Sequence, residues 1–350
     1  MSSLIGKPTR RDIIRLGAAG AAAGVIGMPY VARAQALDPV KFSLEFRIYG
    51  GNAPLFLGIE SGIFKNLGLD VSLDGSAGSG ESVTRVASGN HDFGLADVST
   101  LVEFTARNPQ VAPKLIMTVF DQFPACVLSL KRNPVKTLQD LAKVKLGTGT
   151  SDAGSKILPA LLALNNIDPK TLNRLTIDVK LRDTMLMKGE VDAVIAFDYT
   201  AIFNLIDNGL KMEDINLLYY SGFGFDFWGN SLIASRSIIE KNPDLVRRVA
   251  AGVARSWVAG AKNRQAAIDA VAKRERLLNP KTERLRMDWV IDKHILTEKV
   301  KAGGIGQMDV TRMEKGIALL KEGFQLATAP TPADIYDGRF LPSAEDRKIV

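Results

Sequence analysis

Cysteine is almost missing from this chain: Cys126 is the only one in 350 residues. A single thiol closes no internal disulfide, so the fold must hold through burial of its apolar side chains, which make up 46% of the composition. Cys126 follows Pro124 in an apolar stretch and reads as a buried structural thiol rather than a nucleophile. Histidine is nearly as scarce. His91 falls in a turn before a strand and His294 in a charged helix, neither in an HExxH or zinc-ligand spacing. Both read as ordinary surface residues. No GxSxG elbow is present, so a Ser-His-Asp reading has little support. The stretch GSAGSGES from Gly75 matches neither the dinucleotide fingerprint nor the P-loop. No metal or cofactor is expected.

A long hydrophobic span is also lacking. The N-terminus has Lys7, Arg10, Arg11 and Arg15, then an uncharged Ala/Gly-rich run from Leu16 to Val31, then Ala34-Gln35-Ala36. This is the order of an export signal with a small-x-small cleavage site. The paired arginines, followed by Ile13 and Ile14, fit the twin-arginine type. A retained anchor, and with it a membrane-tethered sensor, is the alternative, but the run is short and broken by four glycines and Pro29. Residues 1–36 are therefore expected to be a removable signal and the mature protein periplasmic. Their loss removes five basic residues and one acid, leaving 40 basic against 37 acidic side chains. That balance sets nucleic acid aside as a partner.

Beyond the signal, strands alternate with glycine-stopped helices. Val40–Ile48 alternates as a strand, Ala53–Ser61 has helical spacing, Leu69–Leu73 is a second strand, and a short helix ends at Gly89. The phrase GNHDFGLAD from Gly89 returns as GEVDAVIAFD from Gly189, each a helix stop followed by a short buried strand that brings an acid to its carboxyl end. Two such series predict two lobes, each a mainly parallel sheet flanked by helices. Residues 120–133 and 222–236 are expected to cross between them. Helices are expected over 262–278, 282–292 and 309–325, and irregular surface chain from Ala329.

In open α/β sheets ligands gather at the carboxyl ends of the strands. That edge holds the loops Tyr49–Ala53, Ser76–Glu81 and Asp97–Ser99 in one series, and Thr148–Ala153 and Phe197–Tyr199 in the other. The candidate ligand-binding residues are Tyr49, Asn52, Ser79, Gly80, Glu81, Asp97, Asp121, Phe123, Thr150, Ser151, Asp152, Phe197, Asp198, Tyr199, Phe225 and Trp228. The Ser, Thr and acidic members equally suit helix capping without a ligand. Aromatic side chains offer stacking to a planar ligand, and acids suit one with N–H donors. Phe225 and Phe227 are expected on one strand face, with Asp226 and Trp228 on the other.

Taken in order, FLGIESGIFKNLGLDVSL, GSGESVTRVASGNHDFGLADVS, GTGTSDAGSKILPALL, KGEVDAVIAF and FDFWGNSLIASRSIIEKNPDLVRRVAAGVARSW resemble the periplasmic solute-binding proteins for sulfonate, nitrate, taurine and thiamine-pyrimidine precursors. The resemblance covers roughly residues 40–265. It implies an α/β, two-lobed Venus-flytrap (type II periplasmic binding) fold that is monomeric and not an enzyme. Its partners would be a small-molecule ligand and the permease of an ABC importer. The implied lobes are 37–125 with 230–350, and 126–229, hinged at the crossings. The return strand and the GSGESVTRVASG helix look closer to the thiamine-pyrimidine branch, so a planar nitrogen heterocycle is the expected ligand and an organic sulfonate or other small anion the alternative. The same family contains a pyrimidine-synthesising enzyme that depends on a cysteine-rich stretch, a histidine and iron, which this chain does not match.

Overall fold

The computed structural model describes residues 36–150 and 152–349. The expected signal, apart from Ala36, and the candidate Ser151 lie outside the described residues.

Strands β1 (Asp38–Ser43), β2 (Leu69–Asp74), β3 (Phe93–Asp97), β4 (Lys114–Thr118) and β10 (Asn230–Ala234) form one sheet in the order β2-β1-β3-β10-β4. Strands β5 (Ala125–Leu130), β6 (Lys145–Thr148), β7 (Asn173–Thr176), β8 (Ala193–Phe197) and β9 (Ile215–Tyr219) form the other, in the order β7-β6-β8-β5-β9. The two sheets share one plan, and β3 and β8, the strands of the repeated phrase, are central in each. The glycine before each stops its helix in the left-handed region, Gly89 at φ +76° and Gly189 at φ +74°.

Both sheets are mainly parallel, but β10 runs against β3 and β4, and β5 against β8 and β9. The reversed strand is in each case the one that follows a crossing. Leaving one sheet at its carboxyl edge, the chain enters the other at the edge where the parallel strands end, so it must run against them. The crossings are shorter than expected, 119–124 and 220–229, because β5 and β10 occupy the remainder.

Central strands are buried on both faces and read as apolar runs, FGLAD in β3 and ACVLSL in β5. Cys126 is fully buried in β5, and burial pushes its thiol well up. The first strand stops at Ser43 instead of continuing to Ile48. Phe42, Ser43, Leu44 and Glu45 are buried in succession, which a half-exposed strand does not allow. Residues 224–229 form no strand, so the expected alternation lapses: Phe225, Phe227 and Trp228 are all buried. The tail is also more than surface chain, since Tyr336 bridges Leu115 of β4 and Ile335 is buried.

The longer helices are α1 (Ala53–Glu60), α2 (Ser79–Ala87), α3 (Val98–Arg107), α4 (Ala153–Leu164), α5 (Arg182–Lys188), α6 (Asp198–Asp207), α7 (Pro243–Lys262), α8 (Arg264–Arg274), α9 (Pro280–Trp289) and α10 (Val310–Gly323). α9 runs on into a π-helical turn, Val290–Ile295. α7 buries an apolar stripe including Val249, Val253 and Trp257. Gly260 on the same helix leaves room for Pro54 at the start of α1, since a Cβ at Gly260 would lie 2.6 Å from that of Pro54. Gly260→Ala should therefore lower stability by about 1–3 kcal/mol through overpacking. Urea unfolding checks this; an unchanged midpoint would contradict the close approach of the two helices.

Candidate functional site

Chain leaving β1 turns inward at the carboxyl edge of the first sheet. Asn52 pins the loop, its Oδ1 accepting from the Tyr49 amide (3.2 Å) and its Nδ2 donating to the Arg47 carbonyl (3.1 Å). The loop buries Glu45, 3% exposed, and the Tyr49 hydroxyl donates to its Oε1 at 2.7 Å. At the same edge Asn230 stands opposite Asp97 in the β10–β3 register. Its Nδ2 donates to the hydroxyl of Tyr199, which follows β8 in the second sheet (3.0 Å). The rings of Tyr49 and Tyr199 stack across the seam, with centroids 6.0 Å apart and planes 9° from parallel. Phe120, in the first crossing, meets Tyr199 edge-on.

Glu45 is the unusual member. Burial pushes its carboxyl up, against hydrogen bonds led by that of Tyr49. Among the described residues no cation forms a salt bridge with it, and its Oε2 has no hydrogen-bond partner. Asn230 Oδ1 and Ser43 Oγ, at the same edge, are also buried and unpartnered. Burial, reinforced by Glu45, pushes both tyrosine hydroxyls far up, so they stay protonated donors. The seam therefore combines two flat faces with two open oxygens, Glu45 Oε2 and Asn230 Oδ1, and the Ser43 hydroxyl, a set that suits a ligand with N–H donors.

A groove of about 720 Å³ borders this seam, lined by Arg47, Ser76, Ala77, Glu81, Arg85, Asp207, Leu277, Glu283 and Arg286 among others. Glu283 and Arg286 form a buried ion pair (2.9 Å). Glu283 also accepts from the Gly50 amide, and Arg286 donates to the Tyr199 carbonyl while its guanidinium lies 5.6 Å over the Tyr49 ring.

The sequence-derived candidates divide into groups. Tyr49, Asn52 and Tyr199 meet at the seam, and Phe197 packs beside Tyr199 (6.2 Å) and edge-on to Phe123 (5.4 Å). Phe225 is buried against Phe123 (5.0 Å). Glu81 lines the groove, held by the Ala77 amide and Arg85. Ser79 accepts from the Asp97 amide (3.0 Å), and Gly80 and Thr150 are exposed. Asp97 caps α3 through the Thr100 amide (3.0 Å) and also accepts from the Ser99 and Thr100 hydroxyls. Asp152 caps α4 through the Ser155 amide (2.8 Å). Asp121 binds Arg312 (2.8 Å), which covers Trp228 at 4.3 Å, beside a separate cavity of about 440 Å³.

Asp198 is fully buried and surrounded by donors: Tyr219 Oη at 2.6 Å, Trp289 Nε1 at 2.8 Å, His294 Nε2 at 2.8 Å and the Tyr199 amide at 2.6 Å. His294 is thus a core residue, 1% exposed, and not the surface residue expected. The π turn carries it inward, where its ring also stacks on Phe120 (6.1 Å, 11°). Glu45, Asn230, Arg286 and His294 were not among the sequence candidates. Only the polar Asn230 heading the short buried strand NSLIA gave a local signal.

Two sheets of this order, facing at their carboxyl edges and joined by two crossings, define the type II periplasmic binding fold. Solved structures share it. The alkanesulfonate-binding protein SsuA of Xanthomonas axonopodis pv. citri, bound to MOPS, superposes with a TM-score of 0.65 at 13% identity, covering 85% of this chain and 98% of that one. The periplasmic aliphatic sulphonate binding protein SsuA of Escherichia coli gives 0.62 at 14%, covering 85% and 97%. A ligand binding component of an ABC-type import system from Staphylococcus aureus, with zinc bound, gives 0.63 at 10%, covering 89% and 100%. The chain belongs to the NMT1/THI5-like family, whose model matches residues 51–267. No curated protein matches its sequence.

Burial pushes the Asp198 carboxyl up, but His294, Tyr219 and Trp289 more than offset it and hold it below its ordinary value. It therefore adds stability above about pH 3.9 that is lost as pH falls through its lower folded-state value. Asp198→Asn should cost about 3–5 kcal/mol near neutrality by leaving buried donors unpaired. In urea unfolding that deficit should narrow below about pH 4. A deficit that stays constant into acid would contradict the lowered carboxyl.

Proposed function

We propose that this protein is the exported substrate-binding protein of an ABC importer, taking a small planar nitrogen heterocycle of the thiamine-pyrimidine-precursor kind between Tyr49 and Tyr199. The observation that carries the reading is Glu45, a buried carboxyl group in no salt bridge and with one oxygen unpartnered, beside two stacked tyrosines. A ring bearing N–H groups would supply the missing donors, Glu45 Oε2 and Asn230 Oδ1 accepting from it. Ring insertion needs the two faces about 7 Å apart, twice a carbon contact distance. We assign residues 37–125 with 230–350 to one lobe and 126–229 to the other, hinged at the crossings. The signal would direct the chain through the twin-arginine route to the periplasm, where it would act as a monomer and meet its permease.

An organic sulfonate is the second reading, favoured by the ligands named for the structural neighbours. Against it, two of the nearby cations are already paired with acids, Arg85 with Glu81 and Arg286 with Glu283, while Arg47 donates to the neutral Asn204 side chain (3.1 Å). An anion would also meet Glu45 with no charge to balance it. In this reading Cys126, fully buried in β5, is a structural thiol.

A thermal-shift and calorimetric comparison of a 4-aminopyrimidine, an alkanesulfonate and nitrate tests the reading. The aminopyrimidine should stabilise the mature protein by about 2.7 kcal/mol at 100-fold excess over Kd. Glu45→Gln should weaken that binding by about 10–100-fold, the loss of a hydrogen bond to a charged acceptor. Stabilisation by the sulfonate or nitrate alone would overturn the heterocycle.

A further inference from the structure

We infer that the arm Pro280–Ile295 is a strap that draws the two lobes together, and that Arg286 is the positioning residue by which it sets the spacing of the tyrosine pair.

The arm follows α7 and α8, which pack on α1 of the first lobe, yet much of its polar face is spent on the second. Thr282 Oγ1 and Asn279 Nδ2, at the start of the arm, both donate to Asp207 at the end of α6. Arg286 donates to the Tyr199 carbonyl and to Asn204 Oδ1, and Trp289 Nε1 and His294 Nε2 both reach Asp198. Toward the first lobe Glu283 takes the Gly50 amide, and a Cβ at Gly50 would lie 2.2 Å from the Glu283 carbonyl oxygen. The arm also touches the first crossing, where the His294 carbonyl accepts from the Gln122 amide (3.1 Å).

Two features separate a strap from ordinary packing. The first is polarity. Beside the apolar contact of Trp289 edge-on to Phe203 (6.3 Å), the grip on the second lobe is a series of hydrogen bonds, groups that water can solvate again when the surfaces part, whereas separated apolar faces regain nothing. The second is the π turn at Val290–Ile295, closed by the Leu296 amide on the Ile291 carbonyl (2.8 Å). Such wide turns are rare and concentrate at functional positions. Here it lets one short arm present Arg286 and Trp289 from an α-helix and His294 from the wider turn.

Arg286 is central because it fixes both rings. It holds the backbone of Tyr199 and lies over the face of Tyr49. Loosening it would free the spacing of the stacked pair, so the strap would govern ligand entry and release. That consequence rests on the two-tyrosine seat proposed above; the grip itself does not.

The test reads the lobes without any ligand. Nitroxide labels on Lys65→Cys in the first lobe and Lys180→Cys in the second, both exposed sites, report the interlobe distance of the mature protein by pulsed electron resonance. Buried Cys126 stays unlabelled. Arg286→Met should shift the distribution to longer distances, and Arg286→Lys, which keeps the charge and one donor nitrogen, should restore part of the wild-type distribution. Thr282→Val removes one link from the far end of the arm with little change of shape, and should shift the distribution the same way; it carries the test if Arg286→Met does not fold. Wild-type distributions in folded Arg286→Met and Thr282→Val would overturn the strap. A shift, with no heterocycle ever bound, would keep the strap and remove the seat; heterocycle binding without a shift would do the reverse.

Discussion

A carboxyl group shut away from water and in no salt bridge must either keep its proton or draw a donor from elsewhere. Glu45 is in that position, and the seam around it depends on the constraint. Tyr49 spends its hydroxyl on one carboxyl oxygen, Asn52 pins the loop that carries both, and Asn230 commits its amide nitrogen to Tyr199. What remains open is Glu45 Oε2, Asn230 Oδ1 and the Ser43 hydroxyl, beside the stacked tyrosines. An apolar side chain in place of Glu45 would fit this burial at less cost. An acid there makes sense as a demand on a ligand, and it is the seam's clearest sign of binding.

Other acids at these strand ends and crossings behave differently, and the contrast sharpens the assignment. Asp97 and Asp152 are committed to helix caps, Asp121 to Arg312, and Asp198 to four donors. Each is satisfied by the protein itself and holds elements in place. A cap is worth about 1 kcal/mol, and a buried carboxylate with full hydrogen bonding rigidifies what it touches. The fold thus uses these acids mostly as fasteners and leaves one oxygen of Glu45 open.

Much of the architecture was legible from the sequence because it is written locally. The repeated phrase marks β3 and β8 because a left-handed glycine and a short apolar run form a helix stop and a buried strand wherever they occur. Both strands indeed hold the centre of their sheets. The reversed strands were not foreseen, since direction follows from where the chain enters a sheet and not from composition. The site was less legible still. Tyr49, Asn52 and Tyr199 could be named from their loops, but Glu45 lay in a stretch that alternates like a strand, at one of its polar positions. Arg286 and His294 reach the seam from more than eighty residues beyond Tyr199 in sequence, and helical charge patterns give no hint of such a destination. Asp97 was placed at the correct edge, yet its role there is a cap within α3, because the hydroxyls that occupy it are its own neighbours.

A crystal structure of the mature protein with a bound 4-aminopyrimidine tests the central claim most directly. The account predicts the ring between Tyr49 and Tyr199, their faces about 7 Å apart, with a ring N–H or amino group on Glu45 Oε2. A ligand seated elsewhere, with the two tyrosines still in contact and Glu45 still unpartnered, would contradict it.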